Sequence, residues 1–175
     1  ISFAGGMPAP ELFPVKGVEE ACCQVMEEVG ASALQYCPTE GLVPLREKLV
    51  ARMAAKNGIK TDIDHVLITS GSQQGLDFSA RIFLNPGDVV LMESPSYLGA
   101  INAFKTCEPN FIDIPTDSEG MLMDELEHVL QTTENVKMIY VIPDFQNPTG
   151  KTWTMERREK FMELVNKYEI PVIED

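Results

Sequence analysis

From residue 65 to residue 175, short apolar runs alternate with amphipathic stretches, and this alternation restricts the fold more than any other feature. The runs "HVLIT", "VVLME", "NFIDI", "KMIYVIP" and "PVIED" have strand length and are almost continuously apolar. Strands buried on both faces read this way, whereas strands with one wet face alternate. Between the runs lie "SQQGLDFSARIFL", a stretch near 97–106, "MDELEHVLQTT" and "TMERREKFMELVNKYE", each with helical spacing of apolar residues. The pattern predicts an α/β fold: three layers, α/β/α, around a mostly parallel sheet.

Ahead of this rhythm, residues 1–13, "ISFAGGMPAPELF", are rich in Gly and Pro and predict an irregular arm. Two amphipathic helices should follow, over 15–30 (Val18, Ala21, Cys22, Val25 and Val29 on one side) and over 42–57 (Leu42, Leu45, Leu49 and Met53). The domain reading is therefore an arm over 1–13 and one α/β domain over 14–175. The chain opens on Ile1 and closes on an apparent core strand, "PVIED". We expect a piece of a longer protein, with the domain truncated on its C-terminal side and a sheet edge open to pairing.

Composition removes several functions. A net charge of -13 does not suit a nucleic-acid surface, which needs a basic face. Lys and Arg are scattered, apart from "ERREK" at 156–160, which reads as a solvated helix face. Cys22, Cys23, Cys37 and Cys107 show neither C-x-x-C spacing nor a dense framework, so no metal site and no disulfide scaffold are expected, and a reducing cytoplasm fits. No run approaches the roughly 18 apolar residues of a membrane span, and no signal peptide is expected. The expectation is a cytoplasmic chain without a membrane partner.

In open α/β sheets, ligands bind beyond the carboxyl ends of the strands. The informative residues stand there. Gly71, Ser72 and Gln73 follow "HVLIT" and open a helix, where unpartnered N–H groups and the dipole favour an anion. Ser72 equally suits a plain helix cap with no ligand, and at this point both readings stand. Tyr97, in "SPSYLGA", suits stacking on a flat ligand or half-burial in the core. Asn147, in "QNPTG", suits a turn or a rigid amide aimed at a ligand oxygen. Asp175 ends a strand, where a carboxylate needs a partner or is simply the last residue of the chain. A nucleotide-binding α/β domain is disfavoured: no G-K-[ST] follows the glycine turn, and G-x-G-x-x-G is absent.

Taken in order and spacing, "SFAGGMPAPELFP", "LQYCPTEGLVPLRE", "ITSGSQQGLD", "SPSYLGA", "PDFQNPTG" and "IED" resemble the class I/II, fold-type I aminotransferases, which use pyridoxal 5'-phosphate (PLP). The similarity is greatest to the 2-aminoadipate/kynurenine branch and to the aminotransferase-like domains of MocR/GntR-type transcription regulators. It covers essentially the whole chain.

The resemblance implies a role for each matching residue. Gly71, Ser72 and Gln73 would hold the cofactor phosphate, Tyr97 would stack on the pyridine ring, and Asn147 would bond its phenolic oxygen and serve the substrate. Asp175 would pair with the pyridine nitrogen. Gly6 would lie over the substrate, and Tyr36 would reach the cofactor phosphate and substrate of the partner subunit in a homodimer. No catalytic residue falls in the chain, because the family's Schiff-base lysine would lie beyond residue 175. Lys105, Lys137 and Lys151 do not match it, so the chain alone is expected to form no stable imine with the cofactor and to be inactive. The implied function is amino-group transfer from an L-amino acid to a 2-oxo acid. A PLP-binding effector domain of a MocR/GntR-type regulator is the alternative, and a β-C–S lyase on the same fold fits less well.

Overall fold

The run "VVLMES" forms the middle strand, β1 (Val89–Ser94), of a five-stranded sheet. The computed structural model describes residues 6–175. The chain divides into two compact units, Ile1–Ile68 and Thr69–Asp175.

In the first unit, α1 (Val15–Glu28) buries none of its side chains, and Val18 and Val25 stay exposed. Helix α2 (Val43–Asn57) has Pro44 in its first turn and ends on Gly58 in the left-handed region, φ 69°. Its Arg46 is buried and donates from Nη1 to the Ile63 carbonyl at 2.8 Å. The short 3-10 turn Ile63–His65 is capped by Asp62, whose carboxylate accepts the Asp64 N–H.

The strand expected at "HVLIT" does not form. Val66 is extended, with φ -121° and ψ 118°, but among the described residues the segment from 66 to 69 pairs with no strand. An apolar run specifies an extended backbone; a ladder also needs a neighbour.

In the second unit, the sheet order is β3-β2-β1-β4-β5, with β2 at Asn110–Asp117, β3 at Gly120–Met121, β4 at Val136–Val141 and β5 at Val172–Glu174. Every pairing is parallel except β2 with β3. Side chains alternate across the pleat. Val89 and Leu91 of β1, with Ile139 and Val141 of β4, pack against α5 (Met123–Thr132) and α6 (Met155–Tyr168). Val90 and Met92, with Met138 and Tyr140, pack against α3 (Ser72–Phe83) and α4 (Leu98–Phe104). The result is the expected α/β/α arrangement on a mostly parallel sheet. The expected "PVIED" strand forms as β5, an edge strand that is half-buried rather than fully buried.

The antiparallel β3 was not expected; two residues carry no period. It closes a hairpin on Ser118 and Glu119, and Gly120 adopts φ +115°. A Cβ on Gly120 would stand 2.3 Å from Cδ1 of the buried Trp153 ring. Gly120→Ala is expected to lower the unfolding free energy of the whole protein by about 2–4 kcal/mol, through backbone strain and overpacking. A urea titration reads this, and a loss within about 0.5 kcal/mol, the usual range of surface substitutions, would contradict the packing.

Strand order places the site. From β1 the chain crosses to β2 on one side, then returns to lay β4 on the other side of β1. In doubly wound folds such a reversal marks where ligands bind, beyond the carboxyl ends of the flanking strands, here β1 and β4. The segments leaving those ends carry Tyr97 and Asn147.

Candidate functional site

Thr69 to Gln74 form a turn braced by its own side chains. The Thr69 hydroxyl donates to the Gly71 carbonyl at 3.1 Å, and the Ser70 N–H donates to Gln74 Oε1 at 2.6 Å. Gly71, not Ser72, is the N-cap of α3, with φ 81° and ψ 169°. That positive φ suits glycine. It also removes the plain-cap reading of Ser72, which is the first helical residue. No side chain caps this helix, and among the described residues the Ser72 hydroxyl has no hydrogen bond. Nothing lies within 4 Å of where a Gly71 Cβ would be. The Gln74 N–H donates to the Gly71 carbonyl at 3.3 Å, whereas among the described residues the N–H groups of Ser72 and Gln73 and the Ser72 hydroxyl have no partner, as an anion site requires.

The Gln73 side chain does not join this set. Its Nε2 donates to the Gly99 carbonyl at 3.1 Å, tying α3 to the start of α4. The Tyr97 ring lies over Gly99, so close that a Cβ there would sit 2.4 Å from its Cζ. Tyr97 is half-buried against the apolar cluster that includes Leu76, Tyr140 and Ile173. The half-buried reading of Tyr97 holds, and the part of the side chain outside the cluster stays accessible.

Asp175 follows β5. Its N–H donates to the Val141 carbonyl at 3.1 Å, which continues the ladder of β4 with β5. Its Oδ2 accepts from the Tyr140 hydroxyl at 2.8 Å. Burial, then this hydrogen bond, pushes the Tyr140 phenol far above its ordinary pKa.

Asn147 is exposed, and its side chain makes no hydrogen bond among the described residues. Its loop is anchored by its neighbour. Gln146 is buried, donates from Nε2 to the Pro95 carbonyl at 2.8 Å, and accepts the Thr149 hydroxyl at 2.7 Å. A second link lies beneath. Glu93, 2% exposed at the end of β1, accepts the Ile142 N–H at 3.0 Å and the Trp153 indole N–H at 2.9 Å. Burial raises the Glu93 pKa, and those two donors oppose the rise. Glu93 and Gln146 thus join the segment bearing Tyr97 to the segment bearing Asn147. Sequence reasoning missed both residues; the available signal was a lone acid inside the apolar run "VVLME" and an amide beside Asn147.

Gly71, Ser72, Gln73, Tyr97 and Asp175 are therefore connected through α3, Gly99, one apolar cluster and Tyr140, with Asn147 on a loop bonded to Pro95. Gly6 and Tyr36 belong to the first unit and are exposed. Lys105 and Lys137 are exposed and Lys151 is half-buried. The set of groups suits a flat molecule with an anionic tail: N–H and hydroxyl groups at one place, an aromatic ring, and a carboxylate of which one oxygen is unpartnered among the described residues.

The chain matches, over residues 11–175, the family described as aminotransferase class I and II. It is 46% identical to aromatic-amino-acid aminotransferase 1 of Thermococcus litoralis, over 100% of this chain and 43% of that protein. Among solved structures, the kynurenine aminotransferase of Pyrococcus horikoshii, in complex with PMP, KYN and KYA, superposes with TM-score 0.93 at 44% identity, covering 98% of this chain and 43% of that one. LysN, the alpha-aminoadipate aminotransferase of Thermus thermophilus, was solved with N-(5'-phosphopyridoxyl)-L-leucine; it gives TM-score 0.88 at 43% identity, covering 99% and 43%. The chain spans less than half the length of these relatives. The matched residues take in every strand of the sheet and the turn at 71–73, and on that extent the chain belongs to the aminotransferase class I and II family.

Proposed function

We propose that the whole protein is a PLP-dependent aminotransferase that moves an amino group from an L-amino acid to a 2-oxo acid. Residues 14–175 belong to its PLP-binding large domain, behind an arm over 1–13; residues 1–5 of that arm lie outside the described residues. The observation that carries the proposal is the pairing of an uncapped helix start at Gly71–Ser72 with a carboxylate beyond β5, both joined to the cluster under Tyr97.

Bound PLP supplies the electron sink that transamination needs. The N–H groups of the first turn of α3, the Ser72 hydroxyl and the Gln73 backbone hold the phosphate. This is anchoring remote from the reacting carbon, where binding energy orients without trapping the ground state. Tyr97 sets the tilt of the ring by stacking, worth about 0.5–1.5 kcal/mol. The Asn147 amide donates to the phenolic oxygen and borders the substrate. Asp175 meets the ring nitrogen and favours its protonated form. Gly6 covers the substrate. Tyr36 serves the cofactor phosphate and substrate of a partner subunit, which makes the working form a homodimer. Location is cytoplasmic; among the described residues no helix is long and apolar enough to cross a membrane.

The purified whole protein should carry visible absorbance from bound cofactor. L-amino-acid donors should bleach it, and a 2-oxo acid such as 2-oxoglutarate should restore it. A colourless protein that takes up no added PLP, or a coloured one that no amino donor bleaches, would overturn the proposal.

A further inference from the structure

Tyr140 sits on β4 among Met138, Ile142 and Phe104, and its side chain is fully buried. An apolar residue would fill that place without a polar cost, since a buried hydroxyl is unfavourable unless it is paired. Among the described residues the hydroxyl here has one partner, Asp175 Oδ2 at 2.8 Å. The ring is held edge-on by Phe104, with centroids 5.5 Å apart at 77°. A phenol so far above its ordinary pKa keeps its proton and acts towards the carboxylate as a donor. The Asp175 main chain is fixed as well, by its N–H on Val141. Asp175 is exposed, and among the described residues its Oδ1 accepts no hydrogen bond. One oxygen is thus held from below while the other is left for a ligand.

We propose that Tyr140 is a positioning residue for the cofactor: its hydroxyl fixes the rotation of the Asp175 carboxylate, so that the second oxygen meets the protonated ring nitrogen. The inference rests on the aminotransferase reading and deepens it. Tyr140 touches neither cofactor nor substrate and acts through Asp175. A carboxylate free to rotate spends part of its time with neither oxygen aligned, and ordering it falls to the binding event.

The test compares PLP with its deaza analogue, in which carbon replaces the ring nitrogen, on the whole protein freed of cofactor. Tyr140→Phe removes one oxygen and keeps the ring against Phe104. It should weaken PLP about tenfold (about 1.4 kcal/mol), the order expected for a hydrogen bond to a charged group. The deaza analogue, with no ring nitrogen to align, should weaken by no more than about twofold. Equal weakening of both would reduce Tyr140 to a packing role, and unchanged PLP affinity would remove even that; either result overturns the inference. Circular dichroism on the same samples verifies folding. Should Tyr140→Phe not fold, difluorotyrosine at position 140 keeps the size and alters the donor strength; a threefold or larger shift for PLP alone supports the assignment, and its absence overturns it. Failure of the underlying reading looks different: the native protein then binds neither cofactor. A native protein that binds both equally well spares that reading and overturns the Tyr140–Asp175 assignment.

Discussion

Asp175→Ala in the whole protein is expected to lower kcat/KM for amino-group transfer by about 10²–10³-fold, the usual effect of deleting one preorganised electrostatic group from an active site. The reason is positional. Val172, Ile173 and Glu174 pair with Ile139, Tyr140 and Val141, so β5 delivers residue 175 to the same sheet margin as the ends of β1 and β4. An opposite charge within about 4–6 Å of a titratable nitrogen favours its protonated form, and that form withdraws electrons from the reacting centre. Asp175→Asn retains shape and loses charge, and it should share most of the loss. Asp175→Glu keeps the charge on a longer arm and should recover part of it. Each variant needs its cofactor content measured by absorbance, with kinetics run at saturating PLP, so that lost binding is not counted as lost chemistry. Asp175→Asn within about threefold of the native rate would show that the charge at this strand tip does not serve the ring nitrogen.

How far the sequence foretells this arrangement differs by element, for physical reasons. Strands β1 and β4 are legible because both faces are buried, so nearly every residue in them is apolar. Helices α3 and α6 are legible from their spacing and, for α6, from Thr154, whose hydroxyl accepts the Arg157 N–H at 3.3 Å. The run "HVLIT" misleads because apolar content does not say whether a neighbour exists to pair with. The candidate residues at 97, 147 and 175 are visible as polar positions beyond strand ends, and those at 71–73 as a glycine-led polar turn after an apolar run. Their supports are not. Glu93 and Trp153 stand 60 residues apart, and Gln146 and Pro95 are 51 apart. Such pairings arise only once strand order is set, and no local period encodes them. Tyr140 is hidden differently. Within "KMIYVIP" it reads as one more large core residue, and its hydroxyl gains meaning only when β5 lies beside β4.

Glu93→Ala is expected to destabilise the whole protein by about 2–4 kcal/mol, since two buried donors, the Ile142 N–H and the Trp153 indole N–H, each lose their acceptor. Glu93→Gln should be milder, because its carbonyl oxygen retains one donor while its amide group faces the other. The two variants also differ from the native protein in their pH response. Burial holds the native-state pKa of Glu93 above that of an unfolded glutamate. A group raised in this way binds its proton more tightly in the folded state, so its contribution to stability is complete below the unfolded pKa and is lost as pH rises through the raised native value. Glutamine contributes no such change. The stability gap between native protein and Glu93→Gln should therefore widen as pH falls through the raised native value and level off below the ordinary glutamate range. Urea titrations of both proteins at matched pH and ionic strength measure this gap, and a gap that narrows towards acid would contradict the burial argument. The effect should reach the site as well. Glu93 and Gln146 both join the segment of Tyr97 to the segment of Asn147, so Glu93→Ala, under conditions where it stays folded, should also weaken PLP binding. Unaltered cofactor affinity in a folded Glu93→Ala protein would mean that Gln146 alone keeps the two strand tips in register.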